Sequence, residues 1–509
     1  MKVEEEMLLL YVPILFVFYL VYNEYLRSQA KLKGIPSPPG LPIVGNLHQI
    51  RVNASEQYRI WSKKYGPVYQ VMLGNVPVVV VNSAKAANDI FLGLGNTLSS
   101  RPMFYTFHNV VSSTAGFTIG TSPYTESLKR RRKAAASALN RPSVHSYIPF
   151  LDLESEDFIR DFLERGKAGQ KAVDCMPMIQ RLSLNLSLTV NWGDRIGSID
   201  DHLFEEITEV EEEVSKFRST TGNLQDYVPL LRLNPFNSHS KKAEEMRRRR
   251  DIYLSKLNRE LDERIEQGTD KPCIQGNVIK DPEAKLDRTE LMSISLTMVS
   301  GGLDTVTTTL AWAVAMLSQR PDIQQKAWEA IKEANGEEDP WGDVYKEPNV
   351  PYIVAFVKET LRYFTVLRLA LPRATTKDFN YKGMHVPQGS CVFLNAWACN
   401  MDADLFGDPM EFRPERFIEN PDLPIFTYGV GNRMCAGYIL GNRELYIVFL
   451  RLLSSYKIEQ GPEDNDGQVV DWRPVEGSAD PTSLVTLPRR FKSRFVPRNE
   501  AYLKKKLGK

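Results

Sequence analysis

Cys435 is the residue of this sequence best suited to metal chemistry, because it lies in the pattern YGVGNRMCAG over residues 428–437. Gly429 and Gly431 would allow a tight turn and a close approach of the backbone to a flat ligand. Apolar residues then recur at helical spacing over 438–452, which places Cys435 at a helix N-terminus, where the helix dipole favours a thiolate. No second cysteine lies nearby in the sequence, which suits an axial haem ligand better than a zinc site.

The alternative for Cys435 is a buried structural cysteine beside a glycine-rich turn, which is a common role for free cysteine. The surrounding residues favour the ligand, because a pattern of several residues is more specific than a single one. Arg433 stands two positions before the cysteine and can pair with an anionic group on the cofactor. We therefore predict Cys435 as the metal ligand and Gly429, Gly431, Arg433 and Gly437 as cofactor-binding residues.

An acid and a hydroxyl follow two glycines in SGGLDT, residues 300–305, within a helix expected from about 287 to 319. A glycine inside a helix costs about 1 kcal/mol relative to alanine, so another requirement must keep both glycines there. One candidate is a groove for a planar cofactor and a diatomic gas, beside which Asp304 and Thr305 would deliver protons to oxygen. The alternative is close helix packing through small residues.

Three charged residues in two separate segments could form a network. Glu359 and Arg362 are three positions apart in a helix expected over 352–364, so their side chains share one face. Such a pair alone is usually a surface ion pair. The segment FRPERF over 412–417 adds Arg416, and the three residues together would hold the chain segment that precedes the cysteine loop. We predict a structural role for them and no catalytic one.

The composition limits the kind of protein. With 509 residues, of which 42% are hydrophobic, the chain can bury a large core. Its 64 basic and 63 acidic residues leave a net charge of +1, so no overall field attracts nucleic acid. The five cysteines are scattered without a C-x-x-C pair, which indicates a reducing, cytosol-facing body. The GVG at 429–431 lacks the third glycine and the preceding strand of a dinucleotide site.

The N-terminal residues predict a membrane anchor. Residues 7–22 form an uncharged apolar run, which as a helix spans roughly 24 Å, enough for a thin endoplasmic reticulum bilayer. The acidic residues before it and the lack of a small-residue cleavage site argue against a signal peptide. Basic residues follow the run, so the body is expected in the cytosol. An interfacial or buried helix is the alternative.

The domain organisation follows from these segments. We predict an anchor with a basic flank over 1–33 and one catalytic domain over 46–509. Between them, residues 34–45 are rich in proline and are expected to form a semi-rigid hinge.

The four motifs together resemble those of the cytochrome P450 haem-thiolate monooxygenases, and the resemblance covers essentially the whole chain. It implies a mainly α fold with small β-sheets, haem b held by the Cys435 thiolate, and proton delivery by Asp304 and Thr305. It also implies that electrons come from a separate NADPH–cytochrome P450 reductase at the endoplasmic reticulum membrane, with cytochrome b5 as a further candidate donor.

The resemblance assigns roles to further residues. Arg131, in the basic run over 129–133, and Arg373 match positions that pair with haem propionates. The tryptophan usual four residues before Arg131 is Ser127 here, and Tyr428 replaces the usual phenylalanine; neither change removes a catalytic group. The residues expected to line the substrate pocket are Phe104, Phe107, Val299, Gly301, Leu367, Leu369 and Ser483.

Four further segments are IGTSPY at 119–124, SALNRP at 137–142, KPC at 271–273 and MCAG at 434–437. They are similar to segments of the fungal phenylacetate and hydroxyphenylacetate hydroxylases, which implies ring hydroxylation of a small arylacetic acid. An arylacetate needs a cation for its carboxylate, and Arg218 and Arg368 are the candidates. Three alternatives stay open: a monooxygenase that modifies a larger secondary metabolite, an O2-independent haem-thiolate isomerase or dehydratase, and a membrane-tethered haem protein without turnover.

Overall fold

The computed structural model describes residues 2–114, 116–234, 236–281, 285–336, 339–461 and 469–509, and Met1 and the residues in the gaps lie outside the described part. Helices make up most of the described chain, and its strands form three small β-sheets. The mainly α class with small sheets, predicted from the sequence, is therefore confirmed.

Within the described residues, the α-helices are α1 Lys2–Ala30, α2 Ala54–Tyr65, α3 Ala84–Ala87, α4 Glu126–Ala138, α5 Arg141–Ser146, α6 Ile148–Arg165, α7 Met176–Trp192, α8 His202–Phe217, α9 Ser238–Gln267, α10 Ile274–Lys280, α11 Arg288–Leu317, α12 Pro321–Asn335, α13 Pro351–Phe364, α14 Ala396–Asn400, α15 Ala403–Phe406, α16 Arg416–Glu419, α17 Tyr438–Ser455 and α18 Glu500–Lys506. The strands are β1 Val68–Leu73, β2 Val76–Val81, β3 Val173–Asp174, β4 Arg373–Ala374, β5 Phe379–Tyr381, β6 Met384–Val386, β7 Cys391–Leu394, β8 Tyr456–Gln460 and β9 Lys492–Pro497. Helical turns of other types are the π-helical Asn88–Leu92 and Tyr105–Val111 and the 3-10 turns Leu47–Gln49, Leu224–Asp226, Pro229–Leu233, Pro340–Tyr345 and Gly431–Arg433.

Helix α11 runs through the core of the molecule. A capping box starts it, in which the Asp287 carboxylate accepts from the Glu290 N–H at 2.8 Å and the Glu290 carboxylate accepts from the Asp287 N–H at 3.3 Å. Its C-terminal half, over 306–317, is buried on all sides, as in a helix surrounded by others. It packs against α7, α8, α13 and α17, and α17 is the helix that follows Cys435.

The largest sheet has the strand order β1-β2-β7-β4. Strands β1 and β2 form an antiparallel hairpin with Val68 opposite Val81, and β2 pairs in parallel with β7. Strand β4 pairs antiparallel with β7 and holds Arg373 opposite Val392. The sheet therefore fixes the backbone of Arg373, one of the predicted cofactor-binding residues. The other sheets have the orders β3-β9-β8 and β5-β6.

The C-terminal end of α1 is fastened to the body. The Asn23 side-chain oxygen accepts from the Ile43 N–H at 3.0 Å, and the buried Arg27 donates to the Gly40 carbonyl at 3.3 Å. The apolar run predicted over 7–22 lies within this helix. None of the helices in the described residues is long and apolar enough to cross a membrane, so the predicted membrane span stays a prediction.

Candidate functional site

The loop before Cys435 takes a backbone shape that two glycines make possible. Gly429 and Gly431 both have a φ of 72°, in the left-handed region that glycine adopts without strain. A Cβ at Gly431 would lie 2.2 Å from the carbonyl oxygen of Phe91, so no side chain fits there. The Cys435 N–H donates to the Tyr428 carbonyl at 2.9 Å. This bond closes the loop and sets the cysteine just ahead of α17.

Cys435 differs from the other four cysteines, because its side chain is exposed and theirs are buried. Desolvation by the surrounding protein nevertheless raises the pKa of the Cys435 thiol, while the Gly437 N–H and the Arg132 guanidinium lower it. A sulfur that is accessible and yet desolvated borders an enclosed space. The helix N-terminus predicts a thiolate, but without a metal the thiol is the favoured form, because desolvation has the larger effect on its pKa. A metal cation at the sulfur would restore the thiolate.

The two glycines of α11 have different reasons to be there. A Cβ at Gly302 would lie 2.2 Å from Ser187 Oγ on α7, so close helix packing explains this glycine. A Cβ at Gly301 would meet no atom within 4 Å, and Gly301 is exposed although it lies in the middle of α11. Gly301 therefore borders an open space inside the fold, as a groove for a planar cofactor requires.

The acid and the hydroxyl next to these glycines make different contacts. The Thr305 hydroxyl donates to the Gly301 carbonyl at 2.7 Å, which orients it. Burial raises the pKa of Asp304 to about 7, although the Arg218 guanidinium lowers it; Glu211 raises it further. Because this carboxyl exchanges its proton near neutral pH, it can act as a proton donor and acceptor in the pH range of the cell.

Five arginines form a cluster around the cysteine loop. Burial and repulsion by neighbouring arginines lower the pKa of Arg373 and of Arg433 to about 9, and lower that of Arg101 well below its usual range. Within the described ranges, these three side chains form no ion pair, and they donate instead to backbone carbonyls. Arg131 and Arg132 add to the charge that repels Arg433.

The charge and the hydrogen bonds of the arginine cluster indicate whether haem fits this site. Buried cations without an acidic partner are unfavourable, and the Nε atoms of Arg101 and Arg433 have no hydrogen-bond partner among the described residues. Two carboxylates, such as the propionates of haem, would supply the missing charge and acceptors. Together with the accessible Cys435 sulfur and the open space at Gly301, these residues fit a haem group.

Two arginines of the cluster, Arg101 and Arg132, were not among the predicted cofactor-binding residues. Arg131, predicted for a propionate, donates to the Phe117 carbonyl at 2.5 Å and the Ser122 hydroxyl at 2.9 Å. Arg132 reaches the cysteine loop instead and donates to the Met434 carbonyl at 3.4 Å. Consecutive residues of a helix point about 100° apart, so a run of basic residues does not reveal which one faces inward.

The predicted pocket residues do not form one wall. Phe104 and Phe107 line a small cavity of about 30 Å³ together with Arg218. Ser483 lines a different cavity of about 210 Å³, which also borders Asp304. The four remaining predicted residues take separate positions. Gly301 borders the open space against α11, and Val299 is fully buried in the hydrophobic cluster of Phe107 and Leu303. Leu369 packs against the cluster around Tyr58 and Tyr69, and Leu367 is half-buried.

The predicted charge network lies in the core. Glu359 and Arg362 are fully buried and pair at 2.7 Å, and Arg416 Nε lies 3.2 Å from the Glu359 carboxylate. Glu359 also accepts from the Arg413 N–H at 2.8 Å. Other N–H groups of Arg362 and Arg416 donate to backbone carbonyls over 400–411. The network thus fastens α13 to the segment that leads to the cysteine loop.

The mainly helical fold, the accessible cysteine on its glycine loop and the open space against α11 define a haem-thiolate protein. Residues 35–478 match the sequence profile of the family described as Cytochrome P450. The chain is 60% identical over 492 residues to a 3-hydroxyphenylacetate 6-hydroxylase of Emericella nidulans, an alignment that covers 97% of this chain and 94% of that protein. It is 44% identical over 497 residues to a phenylacetate 2-hydroxylase of the same organism, with 96% and 95% covered.

The chain therefore belongs to the cytochrome P450 family. It is a monooxygenase whose cofactor is haem iron with a cysteine thiolate ligand, and it uses O2 and electrons from a redox partner.

Proposed function

We propose that this enzyme hydroxylates the aromatic ring of a small arylacetic acid of the phenylacetate or hydroxyphenylacetate type. The observation that carries the proposal is the 60% identity, over 97% of the chain, to a protein named for hydroxylation of 3-hydroxyphenylacetate. The neighbourhood of Arg218 adds support, because this cation stands beside the rings of Phe104 and Phe107. The space between them, about 30 Å³, has room for only one or two water molecules, so a bound acid would need to extend beyond it.

The cofactor would be held by the residues described above. Bound haem supplies the iron at which O2 is activated. The Cys435 thiolate would hold that iron, with the Gly437 N–H as a hydrogen-bond donor to the sulfur. Gly429 and Gly437 would leave room for the ring, since a Cβ at either one would meet no atom closer than 3.9 Å, and Gly431 would keep the loop in place against Phe91. Arg131, Arg373 and Arg433, with the neighbouring Arg101 and Arg132, would neutralise the propionates.

The proton would come from Asp304 and Thr305. A carboxyl with a pKa of about 7 can hold a proton and release it near neutral pH. The Thr305 hydroxyl, one residue further along α11, would rotate away from the Gly301 carbonyl and pass the proton into the open space beside this glycine. The buried network of Glu359, Arg362 and Arg416 takes no part in this transfer and positions the loop.

The electrons would come from NADPH–cytochrome P450 reductase, with cytochrome b5 as a further donor, at the endoplasmic reticulum membrane. We place the anchor over 1–33, the hinge over 34–45 and the catalytic domain over 46–509. Exposed apolar side chains over 14–26 support the anchor, since Phe18, for example, is 73% exposed and large apolar surfaces mark contact sites.

A shortened chain tests the anchor. Removal of residues 2–19 retains Asn23 and Arg27, which fasten α1 to the body. We expect the shortened enzyme to move from the membrane pellet to the supernatant after high-speed centrifugation, while the full chain stays in the pellet. The same distribution for both chains would contradict the anchor.

Turnover with reductase, NADPH and O2 tests the reaction. We expect conversion of 3-hydroxyphenylacetate or phenylacetate into a product with one more ring hydroxyl, and no conversion without O2. Thr305→Ala is expected to lower product about tenfold or more, because proton transfer by a positioned group contributes at least that much, while NADPH is still consumed and peroxide is released.

Thr309→Ala is the matched control for this experiment. Its hydroxyl donates to the Thr305 carbonyl at 2.8 Å, one helical turn further on, so coupling of NADPH use to product should stay intact. Product formed without O2 would favour an isomerase or dehydratase, and unchanged coupling in Thr305→Ala would remove the role given to this hydroxyl.

A further inference from the structure

Arg218 lies between the small cavity that Phe104 and Phe107 line and the carboxyl group of Asp304 on α11. Arg218 follows the last residue of α8 and lines the small cavity with Phe104 and Phe107. The centre of its guanidinium lies 5.7 Å from the ring centroid of Phe107. On its other side, Arg218 Nη1 lies 3.9 Å from Asp304 Oδ2. The cation therefore contacts both the cavity and the acid.

Among the described residues, the Arg218 guanidinium has an N–H group without a hydrogen-bond acceptor. Its side chain is 12% exposed, and a guanidinium has five N–H groups to donate. Among the described residues, the buried Nε has no hydrogen-bond partner, and neither has Asp304 Oδ2. A separation of 3.9 Å is too long for a hydrogen bond between the two. A planar carboxylate could accept two parallel hydrogen bonds from such a group.

Position separates Arg218 from the other candidate cations, Arg101 and Arg368. Arg101 also borders the small cavity, but its guanidinium donates to the Pro372 carbonyl at 2.7 Å and belongs to the arginine cluster. Arg368, the second candidate from the sequence, donates to the Pro474 carbonyl and lies over the Trp397 ring, 5.1 Å from its centroid. It is not among the residues that line either cavity.

We propose that Arg218 binds the carboxylate of the substrate and that Asp304, deprived of its cation, takes up a proton in the same step. This inference rests on the proposed arylacetic acid substrate and adds the residue that selects the acid. It also couples substrate binding to protonation of Asp304, the proposed proton donor. In the enzyme without substrate, the Arg218 guanidinium is the cation beside the Asp304 carboxylate.

The charges around Asp304 determine whether its carboxyl group takes up or releases a proton when the substrate binds. From α8, Arg218 favours the carboxylate, while Glu211 and Glu212 oppose it. Burial already raises the pKa of Asp304 to about 7 with Arg218 in place. When a substrate carboxylate takes over the cation, the pKa rises further, so Asp304 is protonated in the complex at pH 7.5.

The other groups near the site do not replace Arg218. Lys216, Asp480 and Arg490 border the larger cavity next to Asp304, and Lys216 is paired with Glu213 at 2.7 Å. His108 lines the small cavity, and burial lowers its pKa, so it is neutral above pH 7. Because the complex holds more protons than its components, affinity for the acid should fall as the pH rises above about 7.

Calorimetric titration of the haem-loaded enzyme tests both parts. 3-Hydroxyphenylacetate and its neutral amide are titrated at pH 7.5 in phosphate and in Tris, whose different ionisation heats report proton uptake. For the unaltered enzyme we expect uptake of up to one proton with the acid and none with the amide. Arg218→Gln should weaken binding of the acid about 30-fold or more, leave the amide unchanged and abolish the proton uptake.

Arg232→Gln is the matched control, since Arg232 lies over the Tyr105 ring of the same region, 4.3 Å from its centroid, and lines neither cavity. It should bind the acid as the unaltered enzyme does.

An unchanged affinity of Arg218→Gln for the acid, or an equal loss for acid and amide, overturns the role of Arg218. Acid binding without proton uptake overturns the role of Asp304. If the unaltered enzyme binds no arylacetic acid at all, the proposed substrate class fails as well. The comparison of acid and amide on the unaltered enzyme needs no variant and stands if Arg218→Gln does not fold.

Discussion

Cys435→Ala is expected to abolish oxygenation, either with no haem incorporated or with haem that lacks a thiolate ligand. The backbone bond from the residue 435 N–H to the Tyr428 carbonyl does not depend on the side chain, so the loop itself should persist. What is lost is the accessible sulfur on that loop. The measurement is the absorption spectrum of the reduced protein with carbon monoxide, together with its haem content.

A second cysteine provides the control for this variant. Cys391 is buried on β7, whereas Cys435 is exposed, so the sulfur of Cys391 is not accessible to a metal. Burial raises the pKa of its thiol to about 12. Cys391→Ala should keep the thiolate-type spectrum and the activity. A thiolate-type spectrum retained by Cys435→Ala would show that another residue holds the iron, and the site described above would then be wrong.

Glu359→Gln is expected to destabilise the fold by about 3–5 kcal/mol, the usual effect of removing one partner from a buried ion pair. The carboxylate is fully buried and contacts Arg362 and Arg416, so its loss leaves two buried cations without their anion. Proteins of this kind are stable by only about 5–15 kcal/mol. We therefore expect a lower midpoint of unfolding in urea and poor haem retention, because the segment over 400–411 loses its attachment.

Glu419→Gln is the matched control in the same part of the chain. Glu419 pairs with Arg413 on the surface, where the two side chains are 59% and 38% exposed. Water replaces such a pair easily, so the midpoint of unfolding should hardly change. If Glu359→Gln proved as stable as Glu419→Gln, the network would not be what holds the segment before the cysteine loop.

Local pattern was enough to predict the elements of this site. Helix α11 was expected over 287–319 and is observed over Arg288–Leu317, since capping and apolar spacing act within a few residues. The left-handed turns at Gly429 and Gly431 are also local, because glycine alone adopts them freely. The charge network was predictable because its three members stand in two recognisable motifs.

Contacts between distant segments were not predictable in this way. The sequence offered two alternatives for the glycines of α11, a cofactor groove or close helix packing, without assigning them to one glycine or the other. In the fold, a Cβ at Gly302 would lie against Ser187 Oγ on α7, whereas Gly301 faces open space. The sequence also left Arg218 and Arg368 as equal candidates for the substrate carboxylate, and the fold places Arg218 at the aromatic cavity.

The sequence by itself therefore determined the family, the cysteine loop and the acid–hydroxyl pair, because these are patterns of neighbouring residues. Only the tertiary structure decided which arginines meet around the cysteine loop, which glycine of α11 faces open space and which cation faces Asp304. Residue spacing fixes which side chains share a face of a helix, but it does not fix which face turns inward or which segments far apart in the chain pack against it, and those outcomes depend on both.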